Sequence, residues 1–144
     1  MIWKQEFSMK ALNQMSLKNM TDHLGIEFTG SGEDFLEARM PVDERTIQPM
    51  GLLHGGASCV LAETLGSVAS VLCIKDTDKE TAVGIEINAN HLRPATRGFV
   101  TGRVQPVRVG RSLHVWNIEI RDEDARLICV SRITIAVVPR RQTI

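Results

Sequence analysis

Hydrophobic and polar positions change their spacing several times along the chain, and each change marks an element. Ala57, Val60, Leu61, Thr64, Leu65, Val68 and Leu72 recur at three- and four-residue intervals, which predicts a long helix with one buried face over residues 57–73. No proline or charge run interrupts it, and Glu63 is its only charged residue. Residues 8–20, with Met9, Leu12, Met15 and Met20, predict a shorter amphipathic helix capped by Ser8. Its methionines read as core rather than as an adaptable binding surface. Residues 23–29 alternate like a strand, Gly30, Ser31 and Gly32 mark a turn, and residues 35–42 form the returning strand. A polar, proline-containing loop over 43–53 leads into the long helix. Beyond a charged connection at 75–80, four stretches alternate Val or Ile with polar residues: 81–92, 98–109, 112–121 and 126–138. Residues 139–144 read as a frayed tail.

This order predicts a single α+β domain over residues 1–144, one antiparallel sheet with a long helix lying across it. The sheet face under the helix must be apolar, and Ile85, Ile87, Ile118, Ile120, Ile133, Ile135 and Val137 are expected to supply it.

Composition narrows the function classes. Seventeen basic and seventeen acidic side chains cancel, so no bulk attraction to nucleic acid or to a membrane surface is expected. The basic residues also lack the interleaved aromatics of a nucleic-acid groove. Cys59, Cys73 and Cys129 are odd in number and lie in apolar segments, as unpaired thiols of a reducing compartment would. The start, Met1 to Glu6, has no basic stretch followed by an apolar run, and no segment reaches the roughly 20 apolar residues of a membrane span. A cytoplasmic protein is expected.

Candidate chemistry concentrates in one place. Glu63 is a lone carboxylate in an apolar helix, where burying an unpaired charge is costly. Cys59 one turn before and Ser67 one turn after share its face. Upstream, the stretch from Gln48 to Gly56 carries a proline, three glycines and His54, and runs straight into the helix. No histidine or cysteine spacing suits a metal, and no glycine-rich phosphate loop is present, so neither a metal nor a cofactor is expected.

Several motifs carry a resemblance. They are Met40-Pro-Val-Asp with Arg45-Thr and Gln48-Pro, Leu52-Leu-His54-Gly-Gly-Ala-Ser, Leu61-Ala-Glu63-Thr-Leu-Gly-Ser67, Gly84-Ile-Glu-Ile-Asn-Ala-Asn90-His91, Val115-Trp116 and Ser131-Arg132 with Thr134. Together they span nearly the whole chain, which resembles the hotdog-fold acyl-CoA thioesterases of the phenylacetic-acid-degradation type. The resemblance implies a hotdog fold, a single antiparallel sheet wrapped around one central helix. It implies hydrolysis of aromatic acyl-CoA thioesters, with the 1,4-dihydroxy-2-naphthoyl group of menaquinone biosynthesis as first candidate. Three other readings compete: a proofreading thioesterase clearing misloaded carrier proteins, a hotdog dehydratase, and a non-catalytic acyl-CoA-binding module.

The resemblance assigns the role of Glu63 and the placing of Gly84, Asn90 and His91, and the chemistry of the residues themselves suggests the other roles. Glu63 attacks the thioester or activates water, while Ser67 holds that water or orients the carboxylate. The Gly55 or Gly56 amide, at the positive end of the helix, donates to the oxyanion. His54 donates to the thioester or to the departing thiolate, and Gln48 positions the acyl group or hydrogen-bonds Glu63. Met50, Leu53, Val68 and Val71 line the acyl slot. Gly84, Asn90 and His91 are carried over to the CoA side, and Arg93, Arg97, Arg108 and Arg111 are read as binders of CoA phosphates, with His91 beside them. His23 and His114 read as structural. A helix and the loop before it do not easily converge within one subunit; the resemblance implies that paired subunits share the sites, Gln48 and His54 facing Glu63 of the partner, and that two such homodimers form a tetramer.

Overall fold

The computed structural model describes residues 1–141. In chain order these form α1 (Met9–Met15), α2 (Met20–His23), β1 (Glu27–Ser31), β2 (Leu36–Pro41), α3 (Gly55–Leu72), β3 (Glu80–His91), β4 (Phe99–Val109), β5 (Leu113–Arg121) and β6 (Leu127–Pro139). The six strands make one sheet in the order β1-β2-β4-β5-β6-β3, every neighbouring pair antiparallel. The long helix α3 packs against β2, β4, β5, β6 and β3. This is the α+β hotdog architecture expected from the sequence.

The core is the helix–sheet seam. Leu61, Leu65 and Ala69 of α3 meet Val100 and Val104 of β4, Trp116, Ile118 and Ile120 of β5, and Ile133 and Ile135 of β6, all fully buried. Each of the buried leucines, isoleucines and valines contributes roughly 1.5–3 kcal/mol by leaving water. Gly66 lets the helix sit close to the sheet, since a Cβ there would come within 2.5 Å of Ile133 Cγ2. The indole of Trp116 donates to Ser70 Oγ at 2.7 Å, pinning strand to helix inside the core. The chain before α1 adds a lid: Trp3 stacks on Trp116 and donates to the Gly32 carbonyl, while Lys4 N–H donates to Leu72 O. By length and composition alone the 18 residues of α3 are apolar enough to cross a membrane, but half of them are buried within this domain, where α3 is the core helix.

Several expectations need correction. The helix read over 8–20 is two helices, because Lys18 takes a left-handed φ of 63° and Asn19 starts a new one by capping the Thr21 N–H at 3.0 Å. Ser8 does cap α1, accepting from Ala11 N–H at 3.1 Å. The break turns Met15 and Met20 outward, 68% and 62% exposed, so of the expected stripe only the buried Leu12 and the half-buried Met9 pack against the core. Gly30 and Ser31 belong to β1 rather than to the turn.

The buried face of α3 is rotated from the one predicted: Ser58, Ala62, Gly66 and Ala69 face inward, and Val60, Thr64 and Val68 are half-buried. Ile85 is 58% exposed, because a bulge between Gly84 and Glu86 inserts it as an extra residue and reverses its direction. The tail is tied as far as Arg140, whose N–H donates to Lys79 O at 2.7 Å, and residues 142–144 of the expected fraying lie outside the described residues.

Candidate active site

The loop before α3 is held at several points. Thr46 Oγ1 donates to Pro41 O at 2.6 Å, and the Arg45 guanidinium clasps Asp43, holding that carboxyl below its usual range. Gln48 N–H donates to Leu52 O and Gly51 N–H to Gln48 O, a tight turn in which Gly51 takes a φ of 81°. Leu53 N–H donates to Ala95 O and His54 N–H to Thr46 O, both at 2.8 Å. Gln48 and His54 are therefore presented from a braced loop.

His54 caps α3. Its backbone is extended (φ −68°, ψ 129°), and Nδ1 accepts the Gly56 N–H at 2.8 Å. A backbone amide only donates, so Nδ1 carries no proton in this bond and the ring proton sits on Nε2. The cap thus fixes the tautomer and turns Nε2–H into a donor. It also engages the Gly56 amide, which leaves Gly55 N–H, at the first helical position, without an intrahelical partner. A side chain on either glycine would press on a histidine ring. A Cβ on Gly56 would lie 2.9 Å from His54 Nδ1, and one on Gly55 would lie 2.8 Å from His91 Nε2.

His91, at the end of β3, thus packs over the start of α3. Gln48, Leu53, Gly55, Ser58, His91 and Arg93 are among the residues lining one cavity of about 360 Å³ there. Gln48 Oε1 accepts from Met50 N–H, which leaves its amide NH2 as the free donor end. Ser58 was missed by sequence reasoning. It lies one turn after His54 and is only 2% exposed, and its i+4 spacing from His54 was the available signal.

Glu63 and Ser67 form a second cluster. Ser67 Oγ donates to Glu63 Oε1 at 3.3 Å, one turn along the helix, and the carboxylate lies against the Gly84 backbone of β3. Val68 and Val71 are half-buried on the same open side of α3. Cys59 is also there, but burial pushes its thiol up and keeps it protonated, so it is not a competing nucleophile. At 1.5 Å per residue, the eight residues from Gly55 to Glu63 separate the two clusters by about 12 Å along one helix. One chain brings Gln48, Gly55, His91 and Arg93 together around the cavity, with His54 capping the helix next to Gly55, and separately Glu63, Ser67 and Gly84.

The remaining candidates scatter. Met50 is 81% exposed at the loop tip, and Asn90 is exposed on β3. Arg97 lines a different hollow, beside Asp122 and Asp124. Arg108 and Arg111 belong to the β4–β5 hairpin, not to the rim near His91. On β6, the partner of His91 is Cys129 and the partner of Leu113 is Ala136, so the two ends of the sheet stand about 23 Å apart. A one-dimensional reading grouped these arginines because all sit at strand ends, without knowing which end. His114 is buried against Trp116 with Nδ1 unpartnered, a structural position as expected, and burial lowers its pKa. No cluster of three metal-ligating side chains occurs among the described residues.

Comparison with known proteins bears on this geometry. The family model described as Thioesterase superfamily matches residues 50–129, which include the His54 cap, Glu63 and Ser67. A 1,4-dihydroxy-2-naphthoyl-CoA hydrolase of Escherichia coli is 54% identical over 95% of this chain and 99% of its own length. The proofreading thioesterase EntH of Cronobacter turicensis is 51% identical over 95% of this chain and 98% of its own. A thioesterase crystal structure from Haemophilus influenzae, 51% identical, superposes with a TM-score of 0.93 over 96% of both chains. With the fold, the family match and these relatives in agreement, the chain belongs to the thioesterase superfamily and is a thioester hydrolase.

Proposed function

We propose that this enzyme hydrolyses aromatic acyl-CoA thioesters, first among them 1,4-dihydroxy-2-naphthoyl-CoA, releasing the free acid and CoA in menaquinone biosynthesis. The observation that carries the substrate is the Escherichia coli relative bearing that activity's name at 54% identity across almost the full length of both chains. The proposed setting is the cytoplasm, which suits three unpaired cysteines.

The catalytic unit in this reading is a homodimer, two of which make a tetramer. Strand β3 supports it: a twelve-residue sheet edge with Val83 45% and Ile85 58% exposed is a template for a second strand. Beside it runs the half-open face of α3 that carries Glu63. A second copy paired along this edge covers both and brings the Glu63 cluster of one subunit to the His54 cluster of the other.

There the thioester carbonyl oxygen takes the Gly55 N–H, in line with the helix dipole. The Glu63 carboxylate either adds to the carbonyl carbon, giving an anhydride that water opens, or takes a proton from the attacking water. Ser67 orients it through the 3.3 Å hydrogen bond. His54 Nε2–H faces the thioester or the departing sulfur, and Gln48 NH2 faces the acyl group. Arg93 is the proposed phosphate contact from the same cavity.

A panel of 1,4-dihydroxy-2-naphthoyl-CoA, benzoyl-CoA and hexanoyl-CoA tests the acyl group. A hydroxyl-matched site rejects an analogue lacking that group strongly, whereas an apolar slot separates chain lengths by about 1–3 kcal/mol per methylene. The expected order in kcat/KM is naphthoyl, benzoyl, hexanoyl, and equal or better use of hexanoyl-CoA removes the menaquinone assignment. The EntH relative favours one second reading, proofreading of misloaded carrier proteins. Faster turnover of an aryl-phosphopantetheinyl carrier protein than of the matching CoA thioester would select it.

A further inference from the structure

The Glu63 carboxylate has a neighbour that contributes by what it lacks. A Cβ built on Gly84 would overlap Glu63 Oε1, and would lie 3.3 Å from Cδ and 3.5 Å from Oε2. The same Oε1 accepts the Ser67 hydroxyl. The carboxylate is thus held between a hydroxyl on its own helix and a bare stretch of backbone on β3.

Glycine is not needed at this position for its backbone. Left-handed glycine φ values among the described residues occur at Gly25, Gly51 and Gly98, and Gly84 is not one of them. Within one chain burial does not explain it either, since Gly84 is exposed there on an edge strand, where glycine weakens pairing for want of a side chain. The pairing is disturbed at that spot: Gly84 faces Ile135, Glu86 faces Thr134, and Ile85 is the extra residue of a bulge. Bulges commonly re-aim a strand beside a functional group.

We propose that Gly84 is a positioning residue for catalysis, leaving the seat into which the Glu63 carboxylate fits. This rests on the reading of Glu63 as the catalytic carboxylate. The overlapping atom is the tip of a flexible side chain, so an added methyl group moves the carboxylate rather than the strand. Its cost appears in the geometry of the reacting group and not in stability. Gly84 therefore acts through Glu63 rather than by binding substrate, which separates it from a role on the CoA side.

The test uses Gly84→Ala, Glu63→Asp, the double variant and Glu63→Ala, with benzoyl-CoA as substrate and thermal unfolding and sedimentation alongside kinetics. A displacement near 1 Å of a reacting group costs about 100-fold, so Gly84→Ala should lower kcat by about that factor while KM, Tm and assembly stay near wild type. Aspartate withdraws the carboxylate by one methylene and no longer meets the new methyl group. Glu63→Asp should therefore cost much less in the Gly84→Ala background than alone, a non-additivity that only contact between the two sites produces.

Wild-type kcat in folded Gly84→Ala, or an equal cost of Glu63→Asp in both backgrounds, overturns the proposal. So does a rise in KM without a fall in kcat. If Gly84→Ala does not fold, recovery of folded protein in the double variant upholds the clash, and continued failure refutes it. Inactive Glu63→Ala beside fully active Gly84→Ala sinks the seat alone. Active Glu63→Ala sinks the catalytic reading and the seat with it.

Discussion

His54 Nδ1 accepts the Gly56 N–H at 2.8 Å, so one side chain both starts the central helix and fixes its own tautomer. Asparagine and alanine separate these duties. His54→Asn keeps a side-chain acceptor at the cap and should leave stability near wild type, while activity falls for want of Nε2–H. His54→Ala removes the cap as well, and should cost about 1 kcal/mol in addition to activity. Thermal unfolding and kcat/KM on the two variants check this. Equal stability of both would show the cap to be energetically idle.

Replacing Glu63 with Ala should abolish most of kcat, because an interaction used in the transition state is lost. The fold should persist, since Glu63 is half-buried and makes no salt bridge among the described residues. Ser67→Ala should cost less, because its 3.3 Å hydrogen bond is long. A folded Glu63→Ala protein with near wild-type turnover removes Glu63 from the mechanism.

Sharing of the site is tested by mixing inactive Glu63→Ala with inactive His54→Ala. Each mixed dimer has one site holding both intact residues, so full exchange of equal amounts should restore about a quarter of wild-type activity. Absence of recovery after verified exchange argues against a site shared between subunits.

The elements were legible where one face is buried: β4, β5 and β6 alternate as their sequence does, with Trp116, Ile118 and Ile120 inward. Strand β3 was legible as a strand but not in its burial. Its alternation breaks at the bulge that inserts Ile85, which the local pattern of one sequence does not display. Glu63 stood out as the lone charge on an apolar helix, and Ser67 because it lies one turn along the same face. The cap by His54 did not, because serine, threonine, aspartate and asparagine are the usual cap residues. The split of the arginines between two sheet ends depends on strand order, which the local pattern does not carry.

Two buried polar groups make opposite stability predictions. Ser70→Ala strands the Trp116 N–H in the core and should cost roughly 1–3 kcal/mol. His114 already has an unpartnered Nδ1, and burial lowers its pKa below the ordinary 6.5. The unfolded chain then binds a proton at a higher pH than the folded one, so stability falls as pH drops below about 6.5 toward the folded value. His114→Phe should remove that part of the pH dependence. Tm measured from pH 7.5 to 5.5 should decline less steeply in the variant than in the wild type, and parallel curves would exclude His114 as a contributor.

Arg93 and Arg111 give the last contrast. Arg93 lines the cavity with Gln48, Gly55 and His91, whereas Arg111 sits on the β4–β5 hairpin at the other end of the sheet. A phosphate contact is made equally in the ground and transition states, so its loss raises KM and spares kcat. Arg93→Ala should therefore raise KM for an aryl-CoA by about tenfold, the lower end for a hydrogen bond to a charged group in an exposed setting. It should leave KM for the matching aryl-pantetheine unchanged, because that thioester lacks the nucleotide phosphates. High salt should narrow the gap between Arg93→Ala and wild type, since it screens an exposed pair. Arg111→Ala reports on the assembly. A similar KM effect there means that the hairpin of a second subunit reaches the nucleotide, and no effect leaves Arg93 as the phosphate contact of the two. Unchanged KM in both variants moves the nucleotide site away from both the cavity rim and the hairpin.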